Sequence, residues 1–173
     1  NTAYTRFELK NIIKKYGIKS ILDIGCGDFH WMNLVIKKNK KLIQKYIGID
    51  IVEELIQENK EKYLNDSNNN LIENLEFNVG DITKIDLSNY NEDLVLCKEV
   101  LIHLSYQDSF NFFKNLKKSK CKYLLTTYFG DVSNKNIDRG EVYNINLLGY
   151  PFNFPKPTYL IDERGTLQRF DNS

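Results

Sequence analysis

Apolar positions near the start of the chain fall at helical spacing: Phe7, Leu9, Ile12, Ile13 and Tyr16 share one stripe, and Gly17 follows as a helix stop. The spacing predicts a leading helix over Tyr4 to Tyr16. Ser20-Ile-Leu-Asp-Ile-Gly25 is a short apolar run that breaks into a glycine turn, after which Phe29 to Leu42 resumes helical spacing. The unit then recurs. Tyr46 to Asp50 reads as a strand and Glu53 to Leu64 as a helix, with a polar asparagine loop from Asn65 to Asn70. Leu75 to Val79 is a third strand and Asp93 to Cys97 a fourth, followed by helical segments over Glu99 to Leu104 and Gln107 to Lys118. Lys122 to Tyr128 is the fifth. Strands alternating with helices imply right-handed crossovers and an α/β fold: a Rossmann-like, doubly wound, mainly parallel sheet covered on both faces.

Beyond Tyr128 the pattern changes. Phe129 to Gly140 reads as a loop, Glu141 to Leu148 has partial strand character, and Gly149 to Pro157 carries all three prolines among aromatics. Thr158 to Asp162 and Thr166 to Phe170 flank Glu163-Arg164-Gly165, the pattern of an antiparallel hairpin. Adding its arms to the five parallel strands predicts a seven-stranded sheet. With 173 residues the chain is expected to form a single domain over 1–173, in which 129–157 leaves the carboxyl end of the last parallel strand as a cap over any site there.

Composition narrows the partners. Lys+Arg number 24 against 23 Asp+Glu, so no basic excess favours nucleic acid or an anionic membrane, and the apolar runs fall far short of the roughly 20 residues that cross a bilayer. The lysine clusters Lys37-Lys38-Asn39-Lys40-Lys41 and Lys117-Lys118-Ser119-Lys120 fall at helix ends away from the strands' carboxyl edge, where lysine complements the helix dipole. Cys26, Cys97 and Cys121 are odd in number and lack CxxC spacing, which argues against a disulfide framework or a metal cluster and for a reducing cytoplasm. A small-molecule substrate is expected, and the oligomeric state is left open.

In an open parallel sheet, ligands bind beyond the carboxyl ends of the strands. Those ends carry Asp23-Ile-Gly25-Cys26-Gly27-Asp28, Gly48-Ile-Asp50-Ile51, Gly80-Asp81-Ile82 and Leu96-Cys-Lys98-Glu99. Gly25 and Gly27 let the backbone turn sharply against a ligand, and Asp50, at the end of the next strand, suits the two hydroxyls of a ribose. A nucleoside cofactor follows. A dinucleotide would want glycine or alanine where His30 stands, and the Asp28 charge repels a pyrophosphate. A sulfonium and an ammonium gain from Asp23 and Asp28 instead.

These motifs together resemble those of class I S-adenosylmethionine-dependent methyltransferases over roughly residues 20 to 128: Ile21-Leu-Asp-Ile-Gly-Cys-Gly-Asp28, Gly48-Ile-Asp50, Val79-Gly-Asp81-Ile82 and Asp93-Leu-Val-Leu-Cys-Lys-Glu-Val100. The resemblance implies S-adenosyl-L-methionine as cofactor, with Asp23, Gly25, Cys26, Gly27 and Asp28 around its methionine part, Asp50 on the ribose and Asp81 on the adenine amino group. It further implies Ile51 and Ile82 on either side of the adenine, Trp31 closing the pocket, the Lys98 backbone near the sulfonium, and Tyr4 and Arg6 folding over from the leading helix. Asp28-Phe-His-Trp31, Leu96 to Leu104 and Pro151-Phe-Asn-Phe-Pro155 resemble a narrower bacterial subgroup. Some of its members accompany surface-polysaccharide genes, including those for O-methyl phosphoramidate capsule decoration.

For the acceptor side, His103 lies four residues after Glu99, so on a helix the two would share a face. A hydroxyl acceptor benefits from a base near neutrality, which suits His103; the alternative is a histidine packed between Val100 and Leu104. Glu99, Tyr128, Asp131 and Arg139 are the expected substrate contacts, with Phe129, Tyr143, Tyr150, Phe152 and Phe154 forming pocket wall or holding the cap to the sheet. The expected activity is methyl transfer to a small molecule, most naturally at oxygen. A nicotinamide-dependent oxidoreductase and a cofactor-binding module without turnover are the rival readings.

Overall fold

The computed structural model describes residues 2–64, 71–138 and 140–162. Along the chain run α1 (Thr2–Tyr16), β1 (Ser20–Ile24), α2 (His30–Asn39), β2 (Lys45–Asp50), α3 (Glu53–Tyr63), β3 (Asn74–Val79), β4 (Leu94–Cys97), a 3-10 turn (Leu101–His103), α4 (Tyr106–Leu116) and β5 (Tyr123–Thr126). All strand pairs are parallel, in the order β3-β2-β1-β4-β5. The order reverses between β1 and β4, which places the crevice of a doubly wound sheet at the ends of those two strands.

Side chains alternate across the sheet as strand geometry requires. Ile21, Tyr46, Phe77, Leu94 and Leu96 point into one core with Leu9 and Ile13 of α1, Met32 and Ile36 of α2 and Ile56 of α3. Leu22, Ile24, Ile47, Ile49, Val95 and Cys97 point into the other, with Phe112 of α4 and Tyr143, Ile145, Leu147 and Phe152 from the segment after β5. Glu92 pairs with Lys45 at 2.9 Å, and Asp93 accepts from the Lys19 and Ser20 backbone and from Lys122, which ties the amino ends of β1 and β5 together.

Three expectations are corrected. The sheet has five strands among the described residues, not seven, and no antiparallel hairpin: Thr158 to Asp162 is not a strand, and residues 163–173, which hold the expected second arm, lie outside the described residues. Glu141 to Leu148 is not a strand either. Here the asparagines capture the backbone. Asn134 Nδ2 donates to the carbonyls of Asn146 and Tyr150, its Oδ1 accepts the Asn146 N–H, and Asn146 Nδ2 donates to the carbonyls of Gly130 and Val132. Side chains that bond main-chain groups in this way compete with a ladder. Finally, Glu99 to Leu104 is not one helix, because Glu99 has a left-handed φ of 59° and only the three-residue 3-10 turn follows.

Candidate active site

The glycine turn after β1 is held on three sides. The N–H groups of Gly25 and Cys26 both donate to the Ile49 carbonyl of β2, at 2.8 and 3.1 Å. The Gly27 N–H donates to Asp50 Oδ2 at 2.9 Å, and its carbonyl accepts from Asn59 Nδ2 at 2.7 Å. Asn59, on α3, is a buried residue that sequence reasoning missed, since nothing local ties it to a turn more than thirty residues away. Asp50 Oδ1 accepts the Val52 N–H at 3.0 Å. Each Asp50 oxygen thus spends one acceptor position on the protein, and an ionised carboxylate offers about four in all.

The two glycines differ. Gly25 has φ 77°, and a Cβ there would lie 2.2 Å from Val100 Cγ2, so it is the point where the β1 and β4 exits touch. Gly27 has φ 55° with nothing within 4 Å of a Cβ, which leaves open space beside Asp50. Cys26 serves this turn with its backbone N–H and with its buried thiol, whose Sγ donates to the Gly27 carbonyl at 3.8 Å; burial pushes the thiol pKa well up. Exposed apolar residues flank Asp50, namely Ile51, Val52 and, directly opposite it on β3, Val79. Of these the sequence reading named only Ile51. Ile82, its expected companion across an adenine, is instead 7% exposed and part of the second core.

Asp23 sits below the rim rather than on it. It is 2% exposed and accepts the Tyr46 hydroxyl at 2.6 Å. Burial raises its carboxyl to about 7, against the lowering effect of that hydrogen bond. Asp28 is exposed, and its Oδ1 accepts the N–H of His30, the first residue of α2, at 2.9 Å. Asp81 holds its own turn: Oδ1 accepts from the Thr83 N–H and hydroxyl, and Oδ2 pairs with Lys84 at 2.7 Å. Partial burial raises its pKa, but the bonds from Lys84 and Thr83 outweigh that and bring it to about 2. Trp31 packs partly buried against the first core.

At the exit of β4, Lys98 pairs with Glu99, the Glu99 N–H donates to Thr127 Oγ1, and Thr126 Oγ1 donates to the Cys97 carbonyl. His103 is exposed, and its N–H donates to the Val100 carbonyl. Glu99 and His103 therefore do not share a helical face, contrary to expectation. Tyr128 is partly buried against the second core and Asp131 is exposed, while Arg139 lies outside the described residues. Tyr4 and Arg6 lie in the first turns of α1. On the same helix Glu8 accepts the Tyr159 hydroxyl at 2.7 Å, docking the C-terminal segment.

An open glycine turn beside an acid at the end of the next strand, at the switch point, is the arrangement in which parallel sheets hold nucleoside cofactors. Asp28 decides between cofactors. Its carboxylate already occupies the N-terminus of α2, the place where a dinucleotide's pyrophosphate would bind, and adds charge that suits a cationic ligand. Residues 17–141 match the family described as methyltransferase domain, and the chain belongs to it. No curated protein matches the sequence.

Among solved structures, the methyltransferase domain of bacterial CtHen1-C superposes with a TM-score of 0.62 at 17% identity, over 73% of this chain and 65% of that one. Phosphoethanolamine N-methyltransferase 1 of Haemonchus contortus, in complex with phosphoethanolamine and S-adenosylhomocysteine, gives 0.53 at 18%, over 69% and 23%. The small RNA methyltransferase HEN1 gives 0.60 at 17%, over 70% and 16%. At these identities the likeness is one of fold, and the chain spans less than two thirds of each structure's length.

Proposed function

We propose that the protein transfers the methyl group of S-adenosylmethionine to a hydroxyl of a small-molecule acceptor, and that the site is the carboxyl edge around Asp50, Gly27 and the β4 exit. The observation that carries this is the open space at Gly27, bounded by an Asp50 carboxylate with spare acceptor capacity. The cofactor, when bound, would supply an activated methyl group for the acceptor hydroxyl, whose proton would pass to a base of the protein. In this reading Asp50 holds the ribose, Ile51 and Val79 cover the base, and Gly25, Gly27 and Asp28 take the methionine part, with Asp23 beneath them. Ile82, Asp81 and Trp31 shape the surrounding walls, Tyr4 and Arg6 close over from α1, and the Lys98 backbone borders the sulfur.

On the acceptor side His103 serves as the base, and Glu99, Tyr128, Asp131 and Arg139 line the approach. The resemblance to the bacterial subgroup favours a surface-glycan precursor such as a phosphoramidate, made in the cytoplasm. That compartment is supported by three free cysteines. A large nucleic acid is disfavoured because the lysine clusters end α2 and follow α4, at the amino edge of the sheet. Among the described residues no helix is long and apolar enough to cross a membrane.

Isothermal titration tests the foundation. Wild type is expected to bind S-adenosylhomocysteine and Asp50→Ala to bind it at least about tenfold more weakly, the loss of a charge-assisted hydrogen bond. Undiminished binding by Asp50→Ala rejects the site, and binding of NADH in place of S-adenosylhomocysteine restores the oxidoreductase reading.

A further inference from the structure

The turn that leaves β4 is gripped from both sides. On one side Thr126 Oγ1 donates to the Cys97 carbonyl at 2.8 Å and Thr127 Oγ1 accepts the Glu99 N–H at 3.1 Å, so consecutive threonines hold the last peptide of β4 and the second residue beyond it. On the other side Val100 abuts Gly25, where a Cβ would come within 2.2 Å of it. Between these restraints Glu99 adopts a φ of 59°, a left-handed conformation that a residue with a Cβ disfavours. Its side chain is 59% exposed and pairs with Lys98, which is 18% exposed. A conformation of this kind persists where its surroundings over-determine it, and such places cluster at functional sites.

The strand order says what lies beside it. Asp81 after β3, Asp50 after β2, the glycine turn after β1 and Lys98-Glu99 after β4 follow one another along the rim, roughly 5 Å per strand. With the ribose at Asp50 and the methionine part at the glycine turn, the next position along the edge is where the charged sulfur meets the acceptor.

We propose that Thr127 is a positioning residue of the methyl-transfer centre: by accepting the Glu99 N–H it fixes the left-handed turn and keeps the Glu99 carboxylate at the rim beside the cationic end of the cofactor. The inference rests on the cofactor placement proposed above. Thr126 anchors the same turn one peptide earlier, so the pair acts as a clamp across β4 and β5. Lys98 limits the net charge of the exit, so the effect of Glu99 depends on where its carboxylate is held as well as on its presence.

The test uses two ligands that differ at one point. S-adenosylhomocysteine has a neutral thioether at the reacting centre; sinefungin has an ammonium-bearing carbon there. Titration calorimetry on wild type, Thr127→Val, Thr127→Ser and Glu99→Gln reads the ratio of the two affinities. Thr127→Val keeps the shape and removes the acceptor, so the ratio is expected to shift against sinefungin by about threefold or more, as for one partly exposed charge contact. S-adenosylhomocysteine affinity should stay within about twofold of wild type. Thr127→Ser is expected to restore the ratio, and Glu99→Gln to reproduce the loss. An unchanged ratio in Thr127→Val, a parallel loss of both ligands, or failure of serine to rescue overturns the clamp. Should Thr127→Val not fold, an unchanged ratio in Glu99→Gln overturns it instead. Wild type binding neither ligand overturns the cofactor placement itself, a result distinct from all of these.

Discussion

Replacing each glycine of the turn by alanine should separate its two jobs. At Gly25 the φ of 77° costs a residue with a Cβ about 1–2 kcal/mol, and the new methyl would lie 2.2 Å from Val100 Cγ2, an overlap that overpacking data put at about 1–3 kcal/mol. The sum is about 2–5 kcal/mol. For a chain of 173 residues each kcal/mol moves Tm by roughly 2–4 °C, so Gly25→Ala should melt about 10 °C lower. At Gly27 the φ of 55° carries only the conformational cost, because nothing lies within 4 Å of the added Cβ. Gly27→Ala should therefore melt about 2–8 °C below wild type yet bind S-adenosylhomocysteine at least about tenfold more weakly, its methyl standing in the space assigned to the cofactor. Val100→Ala removes the atom that Gly25→Ala strikes. The double variant should recover stability relative to the sum of the single ones, with a coupling of about 1 kcal/mol or more. Calorimetric melting of the four variants and ligand titration of the two alanine forms provide the data. Zero coupling between positions 25 and 100, or normal ligand binding by Gly27→Ala, would refute the division of roles.

Three further outcomes follow from the same geometry. Asp23 ionises near pH 7 when folded, chiefly because it is buried, against 3.8 for the ordinary carboxyl. The folded chain keeps a proton the unfolded chain has released, so wild type should lose stability as pH rises from about 4 to about 7, by up to about 1.4 kcal/mol per pH unit, and level off above. Asp23→Asn still accepts the Tyr46 hydroxyl and should flatten that decline in urea melts between pH 5 and pH 8; parallel curves for the two proteins would contradict it. Asn59→Asp keeps the shape but turns an acceptor on the Gly27 carbonyl, which should cost about 1–3 kcal/mol and weaken S-adenosylhomocysteine binding, read by melting and titration. His103 is exposed, so His103→Ala should change stability by no more than about 0.5 kcal/mol and leave ligand affinity intact, while slowing S-adenosylhomocysteine formation in turnover by about 10²-fold or more; lost ligand binding would make it a structural residue.

The parallel sheet was legible because most of its strands are apolar runs ending in turns, while β3 alternates Leu75, Phe77 and Val79 with polar residues, and the glycine turn and Asp50 because both sit where such strands stop. What escaped is non-local. Asn59 reaches the Gly27 carbonyl, and Thr127 reaches the Glu99 N–H, from more than two dozen residues away. Neither residue has a neighbour in sequence that hints at its partner. Glu99 misled for a different reason: Glu99 and His103 fit helical spacing, yet the chain must reverse at the β4 exit to pass Val100 over Gly25, and that tertiary contact overrides the spacing.

The segment after β5 shows how a correct pattern can carry a wrong conclusion. Tyr143, Ile145 and Leu147 are buried and alternate with exposed or half-buried neighbours, the period of a strand. The alternation arises because the chain lies extended across the second face of the sheet, pressing every other side chain into the core there, while Asn134 and Asn146 take up backbone groups that a partner strand would otherwise satisfy. Phe152 is buried in the same core and meets the rings of Tyr106 and Phe113 edge to face. Of the aromatics expected to wall an acceptor pocket, Tyr143 and Phe152 thus hold the segment down, and only Phe129, Tyr150 and Phe154 are exposed. On the proposed reading, acceptor recognition is therefore left to the exposed groups of this segment, such as Phe129, Asp131, Tyr150 and Phe154, together with Glu99, Thr127 and Tyr128 at the β4 and β5 exits.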